Sequence, residues 1–71
     1  MKKLIIFDSI HYTIKADKLL QKTDYEYQII STPNEINNDC GMCLETNEDE
    51  LKNIQEYLIN NEINFRVFDR E

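Results

Sequence analysis

Two cysteines and a histidine are the side chains of this 71-residue chain best suited to nucleophilic chemistry. Cys40 directly precedes Gly41, the only glycine, and Cys43 follows three residues after Cys40. A cysteine thiolate is a strong nucleophile, and a neighbouring glycine permits unusual dihedral angles and leaves space for a partner. We therefore predict that any chemistry of this chain runs through Cys40. The alternative is that Cys40 is a small buried residue that closes a loop.

The spacing Cys40-Gly41-Met42-Cys43 formally makes a C-x-x-C pair. Such a pair usually opens a helix in redox domains, whereas here it enters a predicted strand. In an extended strand the two residues lie about 10 Å apart, beyond disulfide reach. Cys43 is thus a possible second thiol, and a resolving role for it stays open. Two cysteines and one histidine are too few for a closed zinc site, so we predict no metal and no cofactor.

Charge and hydropathy limit the compartment and the partners. The chain has 14 acidic against 8 basic residues, which argues against nucleic acid and anionic membranes as partners. The apolar run from Leu4 to Phe7 is too short for a signal peptide or a membrane span. We predict a cytoplasmic protein whose cysteines stay reduced, built as one domain over residues 1–71.

Hydrophobic periodicity predicts six elements in the order βαββαβ. Ser9 is the predicted cap of the first helix and Asn47 that of the second, where Glu50 completes a variant capping box. The Asn60-Asn61 pair predicts the end of the second helix. The predicted strands cover residues 3–7, 25–31, 42–46 and 63–68, and the predicted helices cover 9–22 and 47–61.

This order favours an α+β two-layer sandwich, a ferredoxin-like fold in which two helices cover one face of a four-stranded antiparallel sheet. The other face would then be bare. We expect Ile5, Phe7 and Phe68 to make it apolar, which favours a homodimer through the open sheet face.

The same topology places the start of the third strand near the corner between the first strand and the first helix. Cys40 would then lie close to Asp8 and His11. A helix N-terminus and an imidazolium lower a cysteine pKa, whereas nearby carboxylates such as Asp8 and Asp39 raise it. His11 is either the partner of the thiolate or an ordinary surface residue. Asp17, beside the apolar stripe of this helix, is expected at its half-exposed edge.

Three segments carry a resemblance to a known family, and together they span nearly the whole chain. They are Phe7-x-Ser9-x-His11, Ile14-x-Ala16-Asp17-x-x-Leu20 and Thr32-Pro33-x-Glu35-Ile36-x-x-x-Cys40-Gly41. With them the chain resembles the selenium/sulfur carrier-like family of small bacterial proteins. The chain departs from the family pattern at Asn34, where arginine is usual, and at Cys43, where a small residue is usual.

The resemblance implies a carrier rather than an enzyme. Cys40 takes the position that holds sulfane sulfur or selenium, Pro33 and Glu35 match the loop that presents it, and Ser9, His11 and Asp17 match the first-helix pattern. The implied partners are a donor protein resembling a cysteine desulfurase and an acceptor enzyme. Two alternatives stay open, namely a ferredoxin-like binding or regulatory module without thiol chemistry, and a redox switch between Cys40 and Cys43.

Overall fold

A computed structural model describes residues 2–36 and 41–70 of the chain. Six elements follow one another as β1 (Lys2–Phe7), α1 (Ile10–Leu20), β2 (Gln28–Ser31), β3 (Met42–Asn47), α2 (Glu48–Asn60) and β4 (Phe65–Arg70). The strands form one antiparallel sheet in the order β2-β3-β1-β4. The predicted ferredoxin-like two-layer fold is confirmed.

The main core lies between the sheet and the two helices. Residues that pair across neighbouring strands share a face, so Ile5, Leu44 and Val67 point the same way. Ile5 and Phe7 are fully buried under the helices, against Leu58 of α2. The prediction that Ile5 and Phe7 help to form an open face is therefore wrong, because they lie on the covered face.

The second face of the sheet is not bare, which corrects the sequence-based expectation. Leu4, Ile6 and Cys43 are 1%, 0% and 0% exposed there, although no helix covers them. Phe68 and Ile36 pack against this second cluster. Ile36 belongs to the connection that leaves β2, so the described part of this connection packs on the sheet. A homodimer through this face stays a prediction, but its apolar centre is already occupied.

The strands differ from their predicted bounds at β2 and β4 and from the predicted burial at β3. β2 begins at Gln28 rather than at Tyr25, because the carbonyl of Glu26 accepts from the Thr46 hydroxyl at 2.6 Å and its N–H donates to Glu50 at 2.7 Å. β4 begins and ends two residues later than predicted, at Phe65–Arg70. β3 is buried on both faces from Cys43 to Thr46, not half-buried.

The helix caps follow the sequence at α2 but not at α1. The Asn47 side chain accepts from the N–H of Glu50 at 2.9 Å, as predicted. Ser9 precedes α1 without a side-chain cap, and its carbonyl instead accepts from the N–H of Thr13 at 3.1 Å. α2 ends at Asn60, as the Asn60-Asn61 pair predicted, but Asn61 has φ of −99° and does not take the left-handed conformation that often ends a helix.

That conformation falls on Glu62, with φ of 61°. The N–H of Ile63 donates back to the carbonyl of Leu58 at 3.0 Å, which closes the C-terminus of α2 in the Schellman pattern. Asn61 contributes a side-chain cap, because its amide donates to the carbonyl of Tyr57 at 2.8 Å.

The apolar stripe of α1 is also rotated from its predicted position. Thr13, Ala16 and Leu20 face the core, whereas Ile10 and Ile14 are 48% and 49% exposed. The buried residues recur at i, i+3 and i+7, which is one face of a helix. Two isoleucines are thereby left at the surface.

The half-buried Ile36 provides a test of the covered second face. Ile36→Ala is expected to lower the free energy of unfolding by about 1 kcal/mol, because it removes apolar area that packs on Leu4 and Ile6. Urea denaturation measures the change. Ile59→Ala, at a side chain 62% exposed on α2, is the matched control and should change the value by less than about 0.5 kcal/mol. Equal effects of the two substitutions would contradict the covered face.

Candidate functional site

The connection between β2 and β3 is closed at its base by backbone hydrogen bonds. Ser31 pairs with Met42 at the end of the ladder, and the N–H of Thr32 donates to the carbonyl of Gly41 at 3.1 Å. Beyond this neck, the N–H of Ile36 donates to the carbonyl of Pro33 at 3.1 Å, which makes a turn. Cys40 and Asp39 lie outside the described residues, so the predictions about them rest on the anchored residues at either side.

The start of β3 lies against the first turn of α1, as the topology predicted. The Thr13 hydroxyl is 3.3 Å from the carbonyl oxygen of Ser9 and 3.4 Å from that of Met42, so its single proton is shared between the two acceptors. One buried side chain therefore joins the N-terminal end of α1 to the strand that follows Gly41. This contact fixes the distance between the helix and the base of the loop.

Thr13 is the positioning residue that the sequence analysis missed. It is 2% exposed and lies in phase with Ala16 and Leu20 on the buried side of α1. A threonine at a core position of a helix needs a hydrogen-bond partner for its hydroxyl, because a buried polar group without one is costly. The i, i+3, i+7 spacing was the available signal, although it does not identify the carbonyl of Met42 as the partner.

Gly41 contributes space rather than unusual dihedral angles. Its φ is not positive, which corrects the expectation that the backbone here depends on glycine. Among the described residues other than its chain neighbours, no heavy atom lies within 4 Å of a Cβ atom built at Gly41. The described side of the neck therefore has space at this position, and room for a partner beside Cys40 stays a prediction.

The two residues predicted near the thiol from the start of the first helix differ in exposure. His11 is exposed on α1, where its ring contacts the Tyr12 ring edge-on at a centroid distance of 5.2 Å. Ser9 is half-buried at the helix start. A contact of either side chain with Cys40 stays a prediction.

Pro33 and Glu35 lie on the other side of the sheet from α1. With Ile36 they form one wall of a cavity of about 420 Å³, whose floor is Leu4 and whose far wall is the end of β4. Arg70 in that wall is engaged with Glu45 at 3.2 Å. The cavity thus combines an apolar floor with charged edges, and it lies under the turn that leads toward Cys40.

Asp17 has a structural partner that the sequence does not reveal. Its carboxylate accepts from the Tyr27 hydroxyl at 2.7 Å and from Gln21 at 3.1 Å. Desolvation by burial, together with the hydrogen bond to Asp17, raises the pKa of Tyr27 to about 12. This pair attaches the segment before β2 to α1. The predicted position of Asp17 at the edge of the buried stripe is confirmed.

Cys43 is buried in the second cluster with Leu4 and Ile6, and it pairs in register with Ile30. Its sulfur is not exposed to solvent, so a partner protein reaches it only if this side of the sheet opens. A redox pair with Cys40 stays a prediction. Burial favours the interpretation of Cys43 as core filling.

Residues 2–36 and 41–70 contain neither a cluster of metal-ligating side chains nor a helix suited to a membrane. Within these ranges, no three His, Cys, Asp or Glu side chains are grouped so that they could hold a metal ion. Neither helix of this part of the chain has the length and apolar character needed to cross a membrane.

Comparison with known proteins gives one match. The model of a family described as "Putative Se/S carrier protein-like" matches residues 2–68. Searches of curated proteins and of solved structures find no match. The match covers every described element of the fold apart from the end of β4.

The bond between Tyr27 and Asp17 gives a prediction with a pH dependence. Tyr27→Phe is expected to lower the free energy of unfolding by about 1 to 2 kcal/mol at neutral pH, because it removes a hydrogen bond to a carboxylate. The folded state favours the neutral phenol, so this contribution is complete below the ordinary pKa of 10.0 and is lost as the pH rises toward about 12. Urea denaturation of both proteins across this range measures the difference, which should shrink above pH 10.

Tyr12→Phe is the control, because Tyr12 is 40% exposed on α1, the helix that carries Asp17, and its substitution should change the free energy of unfolding little. If Tyr27→Phe lowers the free energy of unfolding by the same amount on both sides of pH 10, the role assigned to the phenol is contradicted.

Proposed function

Since the chain belongs to the Se/S carrier protein-like family, we propose that it is a sulfur or selenium carrier that holds the chalcogen on Cys40. The observation that carries the proposal is the family match over residues 2–68, which includes the Thr-Pro-x-Glu-Ile segment and the Cys-Gly pair. The chain would act as a carrier between two proteins, not as a stand-alone enzyme.

The transfer step needs only an accessible thiolate. The Cys40 thiolate attacks the outer sulfur of a persulfide on the donor protein, and a new sulfur–sulfur bond forms. The bond between that outer sulfur and the donor cysteine breaks, and its electron pair leaves with the donor as a thiolate. Cys40 then carries the persulfide, and no external oxidant or reductant is consumed. A donor selenosulfide with a terminal selenium reacts in the same way.

The anchored base of the loop supports this function. A carrier must present one residue to a donor and later to an acceptor, and a cysteine deep in the core could meet neither. The hydrogen bond between Thr32 and Gly41 holds the two ends of the loop together. Met42, the residue after Gly41, contacts the Thr13 hydroxyl of α1 through its carbonyl. The open space at Gly41 leaves room for the partner's sulfur beside the reacting residue.

The turn at Pro33 and Glu35 supports the proposal from the other side of the loop. It is fixed to the sheet through Ile36, which packs on the second cluster. The segment leading toward Cys40 is thus attached at both of its described ends. Persulfide chemistry of this kind requires reduced thiols, and we therefore assign the protein to the cytoplasm.

Loading of Cys40 is the test of this function. The protein is incubated with a cysteine desulfurase and L-cysteine, and intact mass spectrometry is expected to show the mass of one added sulfur atom. Cys40→Ser should show no addition, because serine cannot form the sulfur–sulfur bond. Cys43→Ala should load like the wild type, since Cys43 is buried.

Two results would reject the proposal. One is a wild-type protein that gains no sulfur, and the other is an equal addition on Cys40→Ser. If, in addition, Cys40 reacts with a thiol reagent no faster than in an unfolded control, a binding module without thiol chemistry becomes the better interpretation. If Cys43→Ala gains no sulfur while its circular dichroism spectrum matches that of the wild type, a redox pair of Cys40 and Cys43 is favoured.

A further inference from the structure

Large apolar side chains that remain exposed are concentrated at the end of α1 that adjoins β3. In the described part of the chain, five such residues are exposed, namely Ile10, Tyr12, Ile14, Met42 and Ile59. Four of the five lie on the first turns of α1 or at the start of β3, and only Ile59 lies on α2. In an 8.5 kDa chain with a small core, this distribution marks a surface that another molecule covers.

Three of these residues form one continuous strip. Ile10 and Ile14 lie one helical turn apart on the same side of α1. Ile14 and Met42 line a mostly apolar cavity of about 200 Å³, together with Ile29 of β2. Met42 follows Gly41, so the strip ends at the neck of the loop that carries Cys40. We call Ile10, Ile14 and Met42 the apolar strip.

A row of positive side chains runs beside the apolar strip. Lys15 and Lys18 are exposed on α1, and with His11 they recur at spacings of four and three residues, which places them on one helix face. The chain as a whole carries a net charge of −6, so two lysines beside an exposed apolar strip are a local reversal of the overall charge. The one carboxylate at the cavity, that of Asp17, is engaged with Tyr27 and Gln21.

We propose that the apolar strip and the Lys15–Lys18 row form the docking surface for the persulfide donor, a protein whose own surface has an apolar centre and an acidic rim. The inference rests on the carrier function proposed above and adds the surface through which the donor is recognised. A donor seated on Ile14 and Met42 lies immediately beside Gly41, where a Cβ atom would find open space.

The charge pattern distinguishes this occupant from a second copy of the chain. A symmetric dimer joins two copies of the same patch, so it offers Lys15 and Lys18 no opposite charge at the cavity beyond Asp17, which is engaged with Tyr27 and Gln21. A donor with an acidic rim supplies that opposite charge. Nucleic acid fits poorly, because two lysines neutralise few phosphates and exposed isoleucines gain little from a phosphate backbone.

The test compares loading from a protein donor with loading from a small molecule. The full chain is loaded either by a cysteine desulfurase with L-cysteine or by glutathione persulfide, and mass spectrometry follows the rate. Ile14→Asp and the pair Lys15→Glu and Lys18→Glu are expected to slow loading from the desulfurase by about tenfold or more, because they remove docking contacts. Loading from glutathione persulfide needs no docking surface and should keep its wild-type rate.

Matched controls come from α2. Ile59→Asp, at the other exposed isoleucine, and Lys52→Glu, at an exposed lysine, should leave both rates unchanged. Circular dichroism and urea denaturation check that every variant folds. Raising the salt concentration should slow the desulfurase reaction of the wild type more than that of the Lys15→Glu and Lys18→Glu variant.

Failure of the docking surface and failure of the carrier function give different results. If neither the desulfurase nor glutathione persulfide loads Cys40 of the wild type, the carrier function fails. If the wild type is loaded, the docking inference is overturned when Ile14→Asp loads from the desulfurase as fast as Ile59→Asp. It is also overturned by a wild-type rate from the desulfurase no higher than from glutathione persulfide, or by a homodimer in ultracentrifugation that Ile14→Asp dissociates.

Discussion

A four-stranded sheet with two apolar faces and only two helices must cover its second face by other means, and this constraint shapes the whole molecule. The helices pack on the face that carries Ile5, Phe7 and Leu44. The opposite face buries Leu4, Ile6 and Cys43, and Ile36 from the connection between β2 and β3 packs on it. The segment that leads toward Cys40 is therefore part of the second core. Hydrophobic burial holds it in place, and its position depends on one isoleucine in an otherwise polar stretch.

The candidate site lies where this covering segment returns to the sheet. Thr32 and Gly41 close the neck, and Thr13 bridges from α1 to Met42, so both layers of the sandwich meet at one point. Gly41, at this junction, has no described heavy atom other than those of its chain neighbours within 4 Å of its Cβ position, and the hydrogen bonds of the neck hold its backbone in place. Those are the two properties that successive transfer partners require, since each must reach the same atom without the fold opening. The small size of the domain is compatible with this task, because a carrier needs no deep cleft.

Much of the fold follows from the sequence because strong local signals agree with each other. The run from Leu4 to Phe7 and the Asn47 cap predict their elements correctly, and the element order predicts the sheet order. Which side of a helix or sheet is buried is harder to predict from the sequence. Ile10 and Ile14 suit a buried stripe as well as Thr13 does, and the sequence does not show that Thr13 is buried with Ala16 and Leu20 while its hydroxyl reaches the carbonyl of Met42. The contact of Ile36 with the sheet and the bond between Asp17 and Tyr27 join distant segments, and no local pattern encodes such pairs.

A carrier must release what it accepts, so discharge of a loaded protein separates a carrier from a protein that only binds sulfur. The protein is loaded with radiolabelled sulfur from a desulfurase, repurified and mixed with glutathione, whose thiolate attacks the outer sulfur of a persulfide. We expect that the label leaves as glutathione persulfide, that one thiol is regenerated per sulfur released, and that the same protein then reloads at Cys40. Label that stays on the protein, or that leaves Cys40→Ser at the same rate, would contradict the assignment of this chain as a sulfur carrier.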